Sequence, residues 1–158
     1  KSGVVSAILR TRSQREEERS MVERAYELLD FVGLDKRAGE LACNLPYGEQ
    51  RLLEIVRGLA SRPKLMMLDE ASAGMNSVEK DNLIRIIRAI SAQGITILMI
   101  EHDMKLAMSL SDQITVLDHG AKIAEGLPQQ IQSNQQVIEA YLGKGGVARA
   151  KHAASERA

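Results

Sequence analysis

Two apolar runs, Leu65-Met66-Met67-Leu68 and Ile95-Thr96-Ile97-Leu98-Met99-Ile100, stand on either side of a segment whose leucines and isoleucines recur at helical spacing. Runs of this kind, with no alternation of polar residues, read as strands buried on both faces of a sheet. A strand, a helix and a second strand of these lengths close as a right-handed crossover, which makes the strands parallel and ends both on one edge. Ligands of open α/β sheets collect at that carboxyl edge. The residues delivered to it are Asp69-Glu70 after the first run and Glu101-His102-Asp103 after the second.

Each of these groups has a use in phosphate chemistry. Asp69 can hold Mg²⁺ through water, and Glu70 can accept a proton from an attacking water. The His102 imidazole can hydrogen-bond a terminal phosphate oxygen and register whether that phosphate is still attached. On residue types alone, a solvated acidic pair and an ordinary exposed histidine remain open readings. A further phosphate-compatible feature is Leu45-Pro46-Tyr47-Gly48-Glu49-Gln50-Arg51, which sets a glycine at the start of an amphipathic helix, where free N–H groups and the positive dipole end attract anions. Simple capping would use the same residues. This is a nucleotide-hydrolase layout, yet no loop of the form G-x-x-x-x-G-K-[ST] occurs in the 158 residues, so half of a site is present.

The rest of the chain fits around this unit. Residues 1 to 13 read as an entry loop. A helix is expected from Gln14 to Val32, with Met21, Val22, Ala25, Leu28, Leu29 and Val32 inward and Gly33 as its stop. A helical turn is expected around Lys36 to Leu41, and a second helix from Glu49 to Ala60, inward at Leu52, Leu53, Val56 and Leu59. The crossover helix runs from Glu79 to Gln93 with Leu83, Ile84, Ile87 and Ile90 inward, and Gly94 ends it. After a helix near Lys105 to Leu110, the runs Gln113 to Leu117 and Lys122 to Glu125 flank Asp118-His119-Gly120, a hairpin connection. One helical segment is expected from Pro128 to Leu142, then a weakly ordered tail containing His152.

Composition narrows the function classes. The 21 basic and 21 acidic residues cancel, so no overall field draws the chain to nucleic acid. A single cysteine, Cys43, allows neither an intramolecular disulfide nor a zinc cluster and reads as a buried small hydrophobe. No apolar stretch approaches the ~20 residues that span a bilayer, which predicts a soluble or peripheral protein. The chain opens at Lys1 with no initiator methionine, as expected of a fragment or a trimmed product.

Taken in order, these pieces resemble the ATP-binding subunits of ABC transporters: a degenerate signature at Leu45 to Gln50, a Walker B strand, a D-loop at Ala73-Gly74-Met75-Asn76 and a switch histidine at His102. Wording such as Leu53-Glu54-Ile55, Ile100-Glu101-His102-Asp103-Met104 and Val137-Ile138-Glu139-Ala140-Tyr141-Leu142-Gly143 is similar to the branched-chain amino-acid uptake branch. The resemblance runs from about Ala25 to Gly143. It implies an α/β fold, the second half of a RecA-like P-loop ATPase core with an inserted helical subdomain. Residues 1–62 would be the helical subdomain, 63–143 the C-terminal half of the core and 144–158 the tail.

The resemblance also implies ATP and Mg²⁺ as cofactors, with Glu70 and His102 catalytic and Asp69 on the metal. In the family two subunits face head to tail, so Leu45, Pro46, Tyr47, Gly48, Glu49 and Gln50 would meet the partner's ATP, and Ala73 to Asn76 would lie at the joint. Expected partners are a second ATP-binding subunit, transmembrane permease subunits and, indirectly, a solute-binding protein. The expected location is the cytoplasmic face of the plasma membrane. Pro46 replaces the usual signature serine, Tyr47 the first glycine and Glu49 the common glutamine, while Ala71 stands where proline usually follows the glutamate. The alternative is a truncated, non-enzymatic partner of a complete ATPase, offering only its signature face. A chromosome-maintenance ATPase head would need a long heptad coiled coil that residues 1 to 40 do not hold.

Overall fold

The computed structural model describes residues 12–142. Residues 1 to 11 of the entry loop expected over 1 to 13, and the tail expected over 144 to 158 with His152, lie outside them. The chain forms two compact units, one up to Ile100 and one from Glu101.

In the first unit, α1 (Arg12–Val32) includes residues 12 and 13, which were expected in the entry loop. It ends at Gly33, whose φ of +79° is left-handed, and the Leu34 N–H donates to the Leu29 carbonyl at 2.8 Å. That closure satisfies an orphan carbonyl and tucks Leu34 under the helix end, where it is buried. Of the expected apolar face, Leu28 and Val32 are buried but Met21 and Val22 are exposed. The helix therefore packs through its C-terminal turns. The turn expected around Lys36 to Leu41 is present as the short 3-10 turn Asp35–Arg37, and a second one follows at Ala42–Asn44, where Cys43 is exposed rather than buried as expected.

Helix α2 (Tyr47–Ala60) starts two residues before the expected Glu49 and buries Leu52, Ile55, Val56 and Leu59. Those positions form one stripe at i, i+3, i+4 and i+7, so Ile55 takes the place expected of Leu53, which is half-buried. Strands β1 (Leu65–Asp69) and β2 (Thr96–Ile100) pair in parallel from Leu65 opposite Thr96 to Asp69 opposite Ile100, as the crossover required. The expected burial on both faces does not hold. Met66 and Leu68 are buried, whereas Leu65, Met67, Leu98 and Ile100 are each at least 50% exposed. The pleat alternates side chains, and α2 covers only one face: Met66 Cε lies 3.5 Å from where a Cβ on Gly58 would stand.

The crossover helix α3 (Ser77–Ser91) starts two residues before the expected Glu79 and buries Leu83, Ile86, Ile87 and Ile90, with Ile86 in the role expected of Ile84. Gly94, at φ +84°, turns the chain into β2.

In the second unit, α4 (Met104–Leu110) is capped by Asp103, whose carboxylate accepts the Leu106 N–H at 3.2 Å. Strands β3 (Ile114–Asp118) and β4 (Ala121–Gly126) form the expected hairpin. Its two-residue turn, His119-Gly120, holds φ at +48° and +79°, the left-handed pair that matches strand twist. The single helical segment expected from Pro128 is two helices, α5 (Pro128–Gln132) and α6 (Gln135–Leu142). Asn134 makes the break: its side chain accepts the Gln136 and Val137 N–H groups at 2.9 and 3.4 Å and so caps the second helix.

Leu83 has no exposed surface, while Met67 is 68% exposed on the uncovered sheet face. Leu83→Ala is expected to destabilise the chain by about 2–5 kcal/mol, and Met67→Ala to change stability by about 0.5 kcal/mol or less. Denaturant unfolding measures both, and equal losses would mean that the sheet is covered on both sides.

Candidate functional site

The edge of the sheet is built by where β1 stops. Asp69 is its last residue, opposite Ile100, and the Glu70 N–H donates to the Ile100 carbonyl at 2.9 Å. Glu70 then turns the chain off the sheet with φ at +45°. A left-handed conformation at a residue other than glycine costs on the order of 1 kcal/mol, and Arg62 and His119 share it. The turn beyond it is held by Ala73 N–H on the Glu70 carbonyl at 3.0 Å and Met75 N–H on the Ser72 carbonyl at 3.2 Å. Ala71, Ser72 and Met75 are buried. Burial and these two hydrogen bonds thus stiffen a turn that lacks a proline.

The side chains of Asp69 and Glu70 are exposed. Mg²⁺ keeps several waters and takes one or two carboxylates along with substrate phosphates, so an exposed Asp69 suits it. No group of three or more ligating side chains occurs among the described residues. His102 is also exposed and follows β2 by two residues, in the second unit. Its neighbour Asp103 is committed to capping α4.

The start of α2 is the anion-compatible feature. Pro46 precedes it without a side-chain cap, and the first bond of its ladder runs from Gln50 N–H to the Pro46 carbonyl at 3.0 Å. The N–H groups of Tyr47, Gly48 and Glu49 lie before that bond. Leu45 is buried, and Gln50 Nε2 donates to its carbonyl at 2.8 Å. Glu49 forms an ion pair with Arg37 Nε at 2.8 Å, which offsets the negative charge it brings to this end. Tyr47 accepts a hydrogen bond from Arg51 Nε at 3.0 Å, and the guanidinium lies 5.1 Å from its ring centre. Glu54 first, then Tyr47, push the Arg51 pKa above its usual value, so this cation stays charged.

Gly74 of the expected D-loop meets this helix start. Gly74 has φ +74°, and a Cβ there would stand 3.0 Å from Tyr47 Cε1. Asn76 caps α3, accepting Val78 N–H at 2.9 Å and Glu79 N–H at 3.0 Å. Glu79 Oε2 returns the bond, accepting Asn76 N–H at 2.9 Å. Its other oxygen, Oε1, lies 2.7 Å from where a Cβ on Gly48 would stand. The fold therefore gathers Tyr47, Gly48, Gly74 and Asn76, and adds Glu79, which the sequence reading did not select. The Asn76-Ser77-Val78-Glu79 spacing of a capping box was its signal.

Residues 4–73 match the family model described as ABC transporter, and residues 121–147 match the one described as branched-chain amino acid ATP-binding cassette transporter. The chain is 45% identical over 141 residues to the high-affinity branched-chain amino acid transport ATP-binding protein BraF of Pseudomonas aeruginosa, covering 89% of this chain and 55% of that protein. It is 43% identical over 145 residues to LivG of Escherichia coli, a protein of the same description, covering 91% and 57%. The chain thus spans a little over half the length of these curated relatives. Among solved structures, it is similar to an ATP-binding cassette of an ABC transporter in its ADP conformation, with TM-score 0.72 and 32% identity over 79% of this chain and 51% of that one. A nucleotide-free cassette gives TM-score 0.73 and 30% identity over 91% and 58%.

The strain at Glu70 is measurable. Glu70→Gly is expected to stabilise the 158-residue chain by about 0.5–1 kcal/mol in urea unfolding, because glycine adopts this φ without steric cost. Unchanged or lower stability would show that the turn holds glutamate without strain.

Proposed function

As this chain belongs to the ATP-binding family of ABC transporters, we propose that it is the C-terminal part of a subunit coupling ATP hydrolysis to solute import, the solute being a branched-chain amino acid or a related amide. The observation that carries this reading is the parallel register that ends β1 and β2 together and turns Glu70 off the strand through its bond to Ile100. In this reading Glu70 is the general base for the attacking water, Asp69 holds Mg²⁺ through water, and His102 hydrogen-bonds the terminal phosphate. Leu45, Pro46, Tyr47, Gly48, Glu49 and Gln50 face the nucleotide of a second ATP-binding subunit, and Ala73, Gly74, Met75 and Asn76 lie at the joint.

Residues 1–62 serve as the helical subdomain and 63–143 as the C-terminal half of the core. The solute crosses through permease subunits, supplied indirectly by a solute-binding protein, while this subunit sits peripherally on the cytoplasmic face. No helix among the described residues is long and apolar enough to cross a membrane. The 158 residues hold no phosphate loop, so alone they are inactive.

The reading is tested in an ATPase that joins this chain to the phosphate-loop half of a curated relative. Glu70→Gln there is expected to keep ATP binding while slowing hydrolysis by about two orders of magnitude or more; near-normal turnover refutes the base. His102→Ala is expected to impair hydrolysis more than nucleotide binding, and equal loss of both would leave the histidine a structural role. If the joined protein is inactive but the 158-residue chain alters the rate of a complete relative as a stable partner, the chain is a regulator instead.

A further inference from the structure

Gly48 lies inside a helix at a φ that any residue adopts, a position where glycine is a poor helix former. Its missing side chain is matched by what stands against it. Glu79 Oε1 occupies the space, 2.7 Å from the Cβ position, while Oε2 of the same carboxylate accepts Asn76 N–H at 2.9 Å. A second contact repeats the pattern in reverse: the Tyr47 ring lies 3.0 Å from the Cβ position of Gly74. Each segment thus presents a glycine to a large side chain from the other, and the two are fastened side by side. From Gly74 the chain runs back through a turn held by two hydrogen bonds to Glu70.

We propose that Glu79 and Tyr47 are positioning residues that lock the phosphate-facing start of α2 onto the loop 73–76, so that both move as one body. A phosphate engaged at the helix start is then registered, through this clamp and the braced turn, at the backbone of Glu70. The proposal rests on the ATPase reading. Its catalytic consequence is specific: loosening the clamp disturbs orientation in the transition state without removing the groups that hold ATP.

In the joined ATPase, Glu79→Ala is expected to lower kcat about 10-fold, since small misplacements at a reacting centre are costly, with KM for ATP changing by about two-fold or less. Glu79→Gln, which keeps the length and the acceptor for Asn76 N–H, is expected to restore most of the rate. Tyr47→Ala, which takes the ring off Gly74, should follow Glu79→Ala in kcat.

The contact itself is read in the 158-residue chain. Gly48→Ala is expected to lower Tm in the parent and to lower it much less in the Glu79→Ala background, a non-additive pair. Should Glu79→Ala not fold, Glu79→Asp, one methylene short of both contacts, carries the same comparison. An additive pair, Glu79→Gln as impaired as Glu79→Ala, or KM rising as kcat falls overturns the proposal. If Glu70→Gln abolishes hydrolysis while Glu79→Ala turns over normally, only the clamp fails; if Glu70→Gln is fully active, the ATPase reading fails first.

Discussion

The hydrogen bond from Glu70 N–H to the Ile100 carbonyl is the last rung of a parallel ladder, and the chemistry of the edge follows from its position. One residue of slip between β1 and β2 would invert every side chain on the shifted strand, sending Met66 and Leu68 into solvent and Asp69 toward α2. The buried pair Met66 and Leu68 therefore fixes the register. The register in turn fixes where the acidic pair leaves the sheet, and the left-handed φ at Glu70 sets the direction of departure.

The unusual residues at the start of α2 acquire a physical account. Tyr47, standing where the family commonly has a glycine, fills space against Gly74 and holds Arg51 through its hydroxyl and its ring. Glu49 brings a carboxylate to an anion-compatible helix end, but Arg37 meets it at 2.8 Å. Pro46 gives up a side-chain cap and the family's serine hydroxyl, which leaves the early N–H groups of the helix for another acceptor. Bulk and charge at this end are answered by neighbours within the same unit.

Much of this was legible in the residues. Apolar runs bounded by acidic and histidine-bearing turns dictated a parallel pair, and Gly33, Gly94 and Gly120 marked turns that do take positive φ. The errors have local causes. A stripe drawn at helical spacing leaves open which flank its outer member takes, i+1 or i+3, which exchanged Leu53 for Ile55 and Ile84 for Ile86. Asn134 looks like any polar residue in a helix until its side chain is seen accepting two N–H groups. Burial on both faces was inferred from apolar runs, whereas how many elements lie over each face of a sheet is a tertiary property that Met67 and Leu98 cannot announce. Of the candidate site, the acidic pair, the helix start and the loop were all readable, but the clamp was not, because opposing glycines declare themselves only once Tyr47 and Glu79 are placed against them.

A ribbon of two strands has no interior strand; each of its members is an edge. In the described residues β1 and β2 therefore carry outward-facing peptide groups along both flanks and an oily surface of Leu65, Met67, Leu98 and Ile100 on one side. Such a surface is adhesive. Handled as an isolated polypeptide, this chain should be hard to keep dispersed at high concentration, and its shelf behaviour in solution will be governed by that oily side before any question of catalysis arises.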